Sequence, residues 1–167
     1  MDFSKVIEER YSCREYLDKK ISEEELNKLL MAANLAPTAV NFQPFKVLVI
    51  ENPEIILKLK EATKYTFNAK TILCVIHNQN ESWHRYYDKK DFGTFDSAIV
   101  TTHIVLEATN IGLGTCIVCS MKEEEVKRIL NLGDEYIVDS FITVGYPKEI
   151  KNHNKRKELN EIVEYYR

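Results

Sequence analysis

Apolar residues recur at helical intervals at Leu26, Leu29, Leu30 and Ala33, and Ser22 stands three residues before Glu25, the spacing of a capping box. The pattern predicts a helix from about 23 to 35, stopped where Pro37 disfavours helical geometry at Ala36. Phe45 to Glu51 and Thr71 to His77 are short apolar runs that read as buried strands, and Pro53 to Lys64 reads as a helix opened by a proline near its first turn. From Asp96 to Ile111 nearly every side is apolar (Ala98, Ile99, Val100, Ile104, Val105, Leu106, Ala108, Ile111), which predicts a helix surrounded by protein, central or in a subunit interface. Gly112 and Gly114 end it, Thr115 to Cys119 reads as a short strand, and Ser120 with Glu123 repeats the capping-box spacing before a helix through Leu130. Tyr136 to Val144 is the last core strand, closed by Gly145, Tyr146 and Pro147. A polar tail, Lys148 to Lys157, leads to a weakly apolar end with Leu159, Ile162 and Val163. The long irregular stretch Asn78 to Gly93 holds Trp83, His84, Tyr86 and Tyr87, either as a functional lid or as a surface excursion packing its aromatics on the body.

Composition narrows the class. The chain has 167 residues, of which 44% are apolar, enough for one folded domain over 1–167. With 23 Lys and Arg against 26 Asp and Glu the net charge is -3, which disfavours nucleic acid as a partner, because that binding leans on clustered positive charge. Apolar runs such as Val47 to Ile50 are far shorter than the roughly 18 residues that cross a bilayer, so no membrane association is expected. Asp2, Lys5, Glu8 and Glu9 stand where an export signal would be basic and then apolar, so the expected location is cytoplasmic. Cys13, Cys74, Cys116 and Cys119 do not look like a disulfide framework in a chain that owns a core.

Three segments carry candidate chemistry. Arg10, Tyr11, Ser12, Cys13 and Arg14 set two guanidiniums four residues apart around a hydroxyl. That set suits a phosphate, or equally a helix C-terminus decorated with cations. Ala36 to Pro44 is a loop bracketed by prolines whose Thr38, Asn41 and Gln43 both donate and accept hydrogen bonds. They suit a flat heteroaromatic ring, or a connector that satisfies its own backbone. Gly112, Leu113 and Gly114 follow a helix and precede a strand, the reverse of a dinucleotide fingerprint, so a Rossmann reading fails. Cys116 and Cys119 read as core packing and His103 as a satisfied buried histidine. His77, His84, His103 and His153 show no metal spacing, and no Ser, His and acid set stands out.

In order along the chain these elements resemble the FMN-dependent nitroreductase family in its short form. The resemblance rests on Arg10-Tyr11-Ser12-Cys13-Arg14, Ala36-Pro37-Thr38-Ala39-Val40-Asn41-Phe42-Gln43-Pro44, Asp96-Ser97-Ala98, Gly112-Leu113-Gly114-Thr115-Cys116 and Val144-Gly145-Tyr146-Pro147, and spans about 3 to 163. It implies an α+β fold, a nitroreductase-like sandwich with a central sheet flanked by helices, in an intertwined homodimer whose tail, 148–167, wraps the partner. It implies one FMN in each of two interface pockets. Arg10, Tyr11, Ser12 and Arg14 would lie at the phosphate, joined from the tail by Arg156 or else Lys155 or Lys157. Pro37, Thr38, Ala39 and Asn41 of the partner subunit would line the ribityl chain and ring, and the backbone of Gly112, Leu113 and Gly114 would face the ring. By the same resemblance NAD(P)H reduces the flavin and a small aromatic acceptor, such as a nitro compound or quinone, reoxidises it in a ping-pong cycle with no side chain as acid or base. A specialised flavin reaction, or a flavin-binding sensor without turnover, are the alternatives the same residues leave open.

Overall fold

The computed structural model describes residues 2–151 and 156–167. Its frame is a four-stranded antiparallel sheet in the order β1-β2-β4-β3, with β1 at Phe45–Ile50, β2 at Thr71–Asn78, β3 at Gly114–Val118 and β4 at Tyr136–Gly145. Central β2 is buried along its whole length, and its period of two divides the core. Ile72, Cys74 and Ile76 face a cluster with Leu59 and Val126, from helices α3 (Pro53–Leu59) and α5 (Glu123–Leu130). Leu73 and Val75 face the opposite cluster with Leu29 and Ala33 of α2 (Glu23–Asn34) and Val100, Ile104, Val105 and Ala108 of α4 (Gly93–Asn110). A short helix, α1 (Phe3–Glu9), precedes these and packs on α4.

The capping box at α2 forms as expected: the Ser22 N–H donates to the Glu25 carboxylate and the Glu25 N–H to Ser22 Oγ. Helix α4 begins three residues before Asp96 and ends in a Schellman motif, with Leu113 N–H to Ala108 O and Gly112 N–H to Thr109 O. Gly112 sits there at φ +82, which is why the position is glycine.

Five expectations are corrected. Strand β1 is an edge strand with Lys46 and Val49 exposed, not a buried one. Helix α3 stops at Leu59, where tight turns take over from the helical ladder and carry the chain toward Thr63. Helix α5 is capped at Lys122 without a side-chain bond, while the Ser120 carbonyl accepts the Thr63 hydroxyl. Cys119 is exposed just past the end of β3, whereas Cys116 is buried, and His103 is only half-buried.

Strand β4 carries one irregularity with consequences. Val75 pairs with Ser140 but Ile76 with Val138, so Asp139 is an extra residue. That bulge turns its carboxylate to the α4 face, where Asp139 Oδ2 lies 2.7 Å from His77 Nδ1. Among the described residues no helix is long and apolar enough to cross a membrane.

Candidate functional site

Three of the five sequence segments meet at one end of the sheet. Past α1 the chain runs extended beside β3, Ser12 bridging Thr115 and the Cys13 N–H donating to Thr115 O at 2.8 Å. The approach is close: a Cβ on Gly114 would lie 2.8 Å from both Cβ and Sγ of Cys13, so only glycine lets the two strands touch. Tyr16 then crosses β4, its hydroxyl 2.8 Å from the Thr143 hydroxyl and the Cys13 carbonyl, and its ring fills the space a Gly145 side chain would need. The Leu17 N–H donates to Tyr146 O, and the Tyr146 hydroxyl donates to Glu25, tying the segment to the cap of α2.

This scaffold carries Arg10, Ser12 and Arg14 on one segment beside β3. Burial pushes the Cys116 thiol up, while Arg14, the Ser12 hydroxyl and Arg10 pull it the other way. Among the described residues neither guanidinium has a carboxylate partner, and Arg14 meets only the Ser12 carbonyl at 3.4 Å. Tyr11 has a hydrogen-bond partner of its own. Its ring packs on the α3/α5 cluster and its hydroxyl donates to Glu149 O at 2.7 Å, with burial first among the causes that push its pKa up to about 12. Leu113 is buried in the α2/α4 core, so a ligand would meet the backbone of this segment.

The 36–44 loop lies elsewhere. Ala39 N–H donates to Asp96 Oδ1 at 2.8 Å, in the first turn of α4, and Thr38 Oγ1 accepts the Gln43 N–H. Val40, Asn41 and Gln43 all adopt positive φ, strained for β-branched Val40 in particular. Burial pushes the Asp96 carboxyl up, its second oxygen is buried without a partner, and so is the neighbouring Ser97 hydroxyl. Pro37 and Asn41 are exposed, Thr38 and Ala39 half-buried. Helix α4 has 18 residues, a length of about 27 Å at ~1.5 Å per residue. The guanidinium half of the expected site therefore lies at the C-terminal end of α4 and the ring-lining half at its N-terminal end, and one chain does not bring them together. Arg156 is exposed in the tail, and Lys155 lies outside the described residues. Leu159, Ile162, Tyr165 and Tyr166 are exposed among the described residues.

A cluster that spacing did not reveal sits beside the loop. Buried His77 bridges Asp139 (2.7 Å) and Asp91 (3.3 Å), and Asp91 also accepts the Ser82 hydroxyl and the Gly93 N–H. Only the lone histidine in an otherwise apolar strand signalled it, since its partners lie 14 and 62 residues away. These ties anchor the 78–93 stretch, which is an ordered hairpin: Phe92 N–H to Trp83 O, Arg85 N–H to Lys90 O and a bridge between His84 and Asp91. Trp83 packs on Phe92, but Tyr86 and Tyr87 stand exposed at the tip.

A model of the Nitroreductase family matches residues 7–68 and 62–146. The chain belongs to the nitroreductase family. It is 32% identical over 157 residues to an Archaeoglobus fulgidus protein named provisionally as an NADH dehydrogenase/NAD(P)H nitroreductase, covering 89% of this chain and 87% of that one. A crystal structure of a nitroreductase family protein from Clostridium difficile 630 superposes with a TM-score of 0.95 at 34% identity, over 99% and 98% of the two chains. An FMN-dependent nitroreductase from Clostridium difficile R20291 gives 0.84 at 25% identity, over 97% and 98%. The fold is the nitroreductase α+β fold and the protein is an oxidoreductase.

Proposed function

We propose that this nitroreductase is an FMN-dependent enzyme that takes electrons from NADH or NADPH and passes them to small aromatic acceptors, nitro compounds or quinones, in a ping-pong cycle. The observation that carries the reading is the extended segment beside β3 on which Arg10 and Arg14 flank Ser12, neither with a carboxylate partner among the described residues. Guanidinium forks and a hydroxyl match the oxygens of a phosphate monoester, so the donor set fits the terminal phosphate of FMN. Arg156, and Lys155 or Lys157, would add charge from the tail. The neutral loop of Pro37, Thr38, Ala39 and Asn41 fits an uncharged ring, with the Gly112, Leu113 and Gly114 backbone on the other side.

The two halves face opposite ends of α4, so the reading needs a homodimer, each site taking its arginines from one subunit and its loop from the other. The exposed tail would then wrap the partner. A groove of about 520 Å³ lined by Phe3, Val6, Ala32, Leu35, His103 and Leu106 offers apolar surface for such an interface. When bound, FMN supplies the two-electron chemistry. The chain's part is to hold the phosphate, orient the ring and leave one ring face open to two partners in turn. No general acid or base is required of it.

Purified protein should be yellow, release FMN on denaturation and sediment as a dimer. Its flavin should bleach anaerobically with NADH or NADPH and recover on adding a quinone, with parallel initial-rate lines. A colourless protein that FMN cannot reconstitute refutes the reading.

A further inference from the structure

We propose that the hairpin of residues 83–92 is the subsite for the adenosine-phosphate end of the nicotinamide dinucleotide. The inference rests on the reading above that NADH or NADPH is the electron donor. A dinucleotide carries two ring systems separated by two riboses and a diphosphate. If its nicotinamide stacks on a flavin, its adenine and phosphates must find, or forgo, a second contact some distance away. The hairpin adjoins the ring-lining half of the proposed site. It runs directly into α4, whose Asp96 holds Ala39 of the ring-lining loop, and a ladder of ring contacts, Trp83 to Phe92 at 5.2 Å and Phe92 to Phe95 at 6.1 Å, connects it to the same turn.

Its tip has the chemistry of a nucleotide site. Tyr86 and Tyr87 are 83% and 78% exposed, although the hairpin that carries them is hydrogen-bonded and pinned at its base. Arg85 lies 5.1 Å over the Tyr87 ring and Lys89 over that of Tyr86, and side chains held so far out of the core have a second flat face on which a base can stack. Around them stand three cations. Arg85 is engaged by Asp88, but Lys89 and Lys90 meet only ring faces, 5.4 Å from Tyr86 and 5.6 Å from Phe92, and among the described residues neither has a carboxylate partner. In a protein of net charge -3 the three cations of the hairpin outnumber its two carboxylates, Asp88 held by Arg85 and Asp91 held at His77, and they are interleaved with aromatics. Stacking surface plus ammonium groups without a carboxylate partner among the described residues matches an adenine joined to a diphosphate. A small uncharged acceptor would use the rings but not the lysines.

ADP-ribose is the probe, because it carries the adenosine and both phosphates but no redox group. Trp83, the sole tryptophan, reports binding from within the hairpin, and calorimetry on the FMN-loaded dimer gives the affinity. The expected result is saturable binding that weakens about tenfold or more in Lys89→Gln/Lys90→Gln and in Tyr86→Ala/Tyr87→Ala, since a stacked base and a charge-assisted phosphate contact are each worth about that much. Flavin content and melting temperature certify that each variant is folded. In steady state the wild-type KM for NADH should lie below that for reduced nicotinamide mononucleotide, which lacks the adenosine phosphate, and the two should converge in the variants. ADP-ribose affinity unmoved by either pair of substitutions, with a flavin that NADH bleaches normally, overturns the subsite alone. A flavin that neither nicotinamide bleaches overturns the donor reading and the subsite with it.

Discussion

Arg14 offers the sharpest test among single residues. Its guanidinium is exposed, beside Ser12 and free of carboxylates, so Arg14→Ala leaves the core intact and removes one charge-assisted contact from the proposed phosphate site. FMN retention should weaken by about 1.5–3 kcal/mol, roughly ten- to a hundredfold, measured by equilibrium dialysis. Unchanged affinity takes Arg14 out of the site. At this scale the sequence revealed residue types better than their reasons. Both glycines of Gly112-Leu113-Gly114 were legible as a place needing small residues. Yet one serves a positive φ and the other the approach of Cys13, a partner about a hundred positions away that no local pattern points to. Cys116 and Cys119 looked like a core pair. Three residues apart at a strand end they cannot share a face, because strand faces repeat every second residue, and only Cys116 is buried.

Among the elements, the hairpin is held by the titratable cluster at its base, and its stability should follow pH accordingly. Burial disfavours charging His77, but the Asp139 and Asp91 carboxylates outweigh it and its pKa is raised. Asp91 is likewise desolvated, but Ser82, the Gly93 N–H and His77 outweigh that and lower its pKa. A raised histidine stabilises fully below its unfolded value, about 6.5, and loses that contribution as pH climbs through the folded value; the lowered Asp91 loses its share as acid protonates it. Protection of the 83–92 amides, their hydrogen exchange rates corrected for intrinsic hydroxide catalysis, should therefore fall on the alkaline side, and His77→Gln should abolish that alkaline limb while leaving the acid one. A wild-type profile flat through the histidine range contradicts the pin. Gly93→Ala should weaken the same base, because a Cβ there would lie 2.1 Å from the His77 ring, and faster tip exchange with an unmoved global melting transition would show it. The sequence located all four strands and the long apolar helix because each carries a run rich in apolar residues. It missed the hairpin because the turn is built on Asp88 and on Lys89 at positive φ, without the Asn-Gly signature that marks such turns.

For the whole molecule, strand order was not legible, since apolar runs state that strands are buried but not which neighbours they choose. The bulge at Asp139 was equally silent, because one extra residue leaves no mark on composition. What the family motifs imply is that two half-sites come from different subunits, and mixed dimers test it. A chain bearing Arg10→Ala and Arg14→Ala, paired with one bearing Thr38→Ala and Asn41→Ala, concentrates both defects in one site and leaves the other intact. Mixed dimers should hold about one FMN, while each parent dimer loses its flavin at the same concentration. Recovery of none places both half-sites within a single chain. In the proposed dimer α4 also acts as a ruler. Each of its ends belongs to a different pocket, so the two redox centres are separated by about the helix length, ~27 Å. Electron tunnelling falls off steeply with distance, and across such a gap one centre cannot discharge its neighbour within a turnover. The dimer is then two independent cells sharing a wall, and a molecule with one centre charged and the other empty is a lasting species.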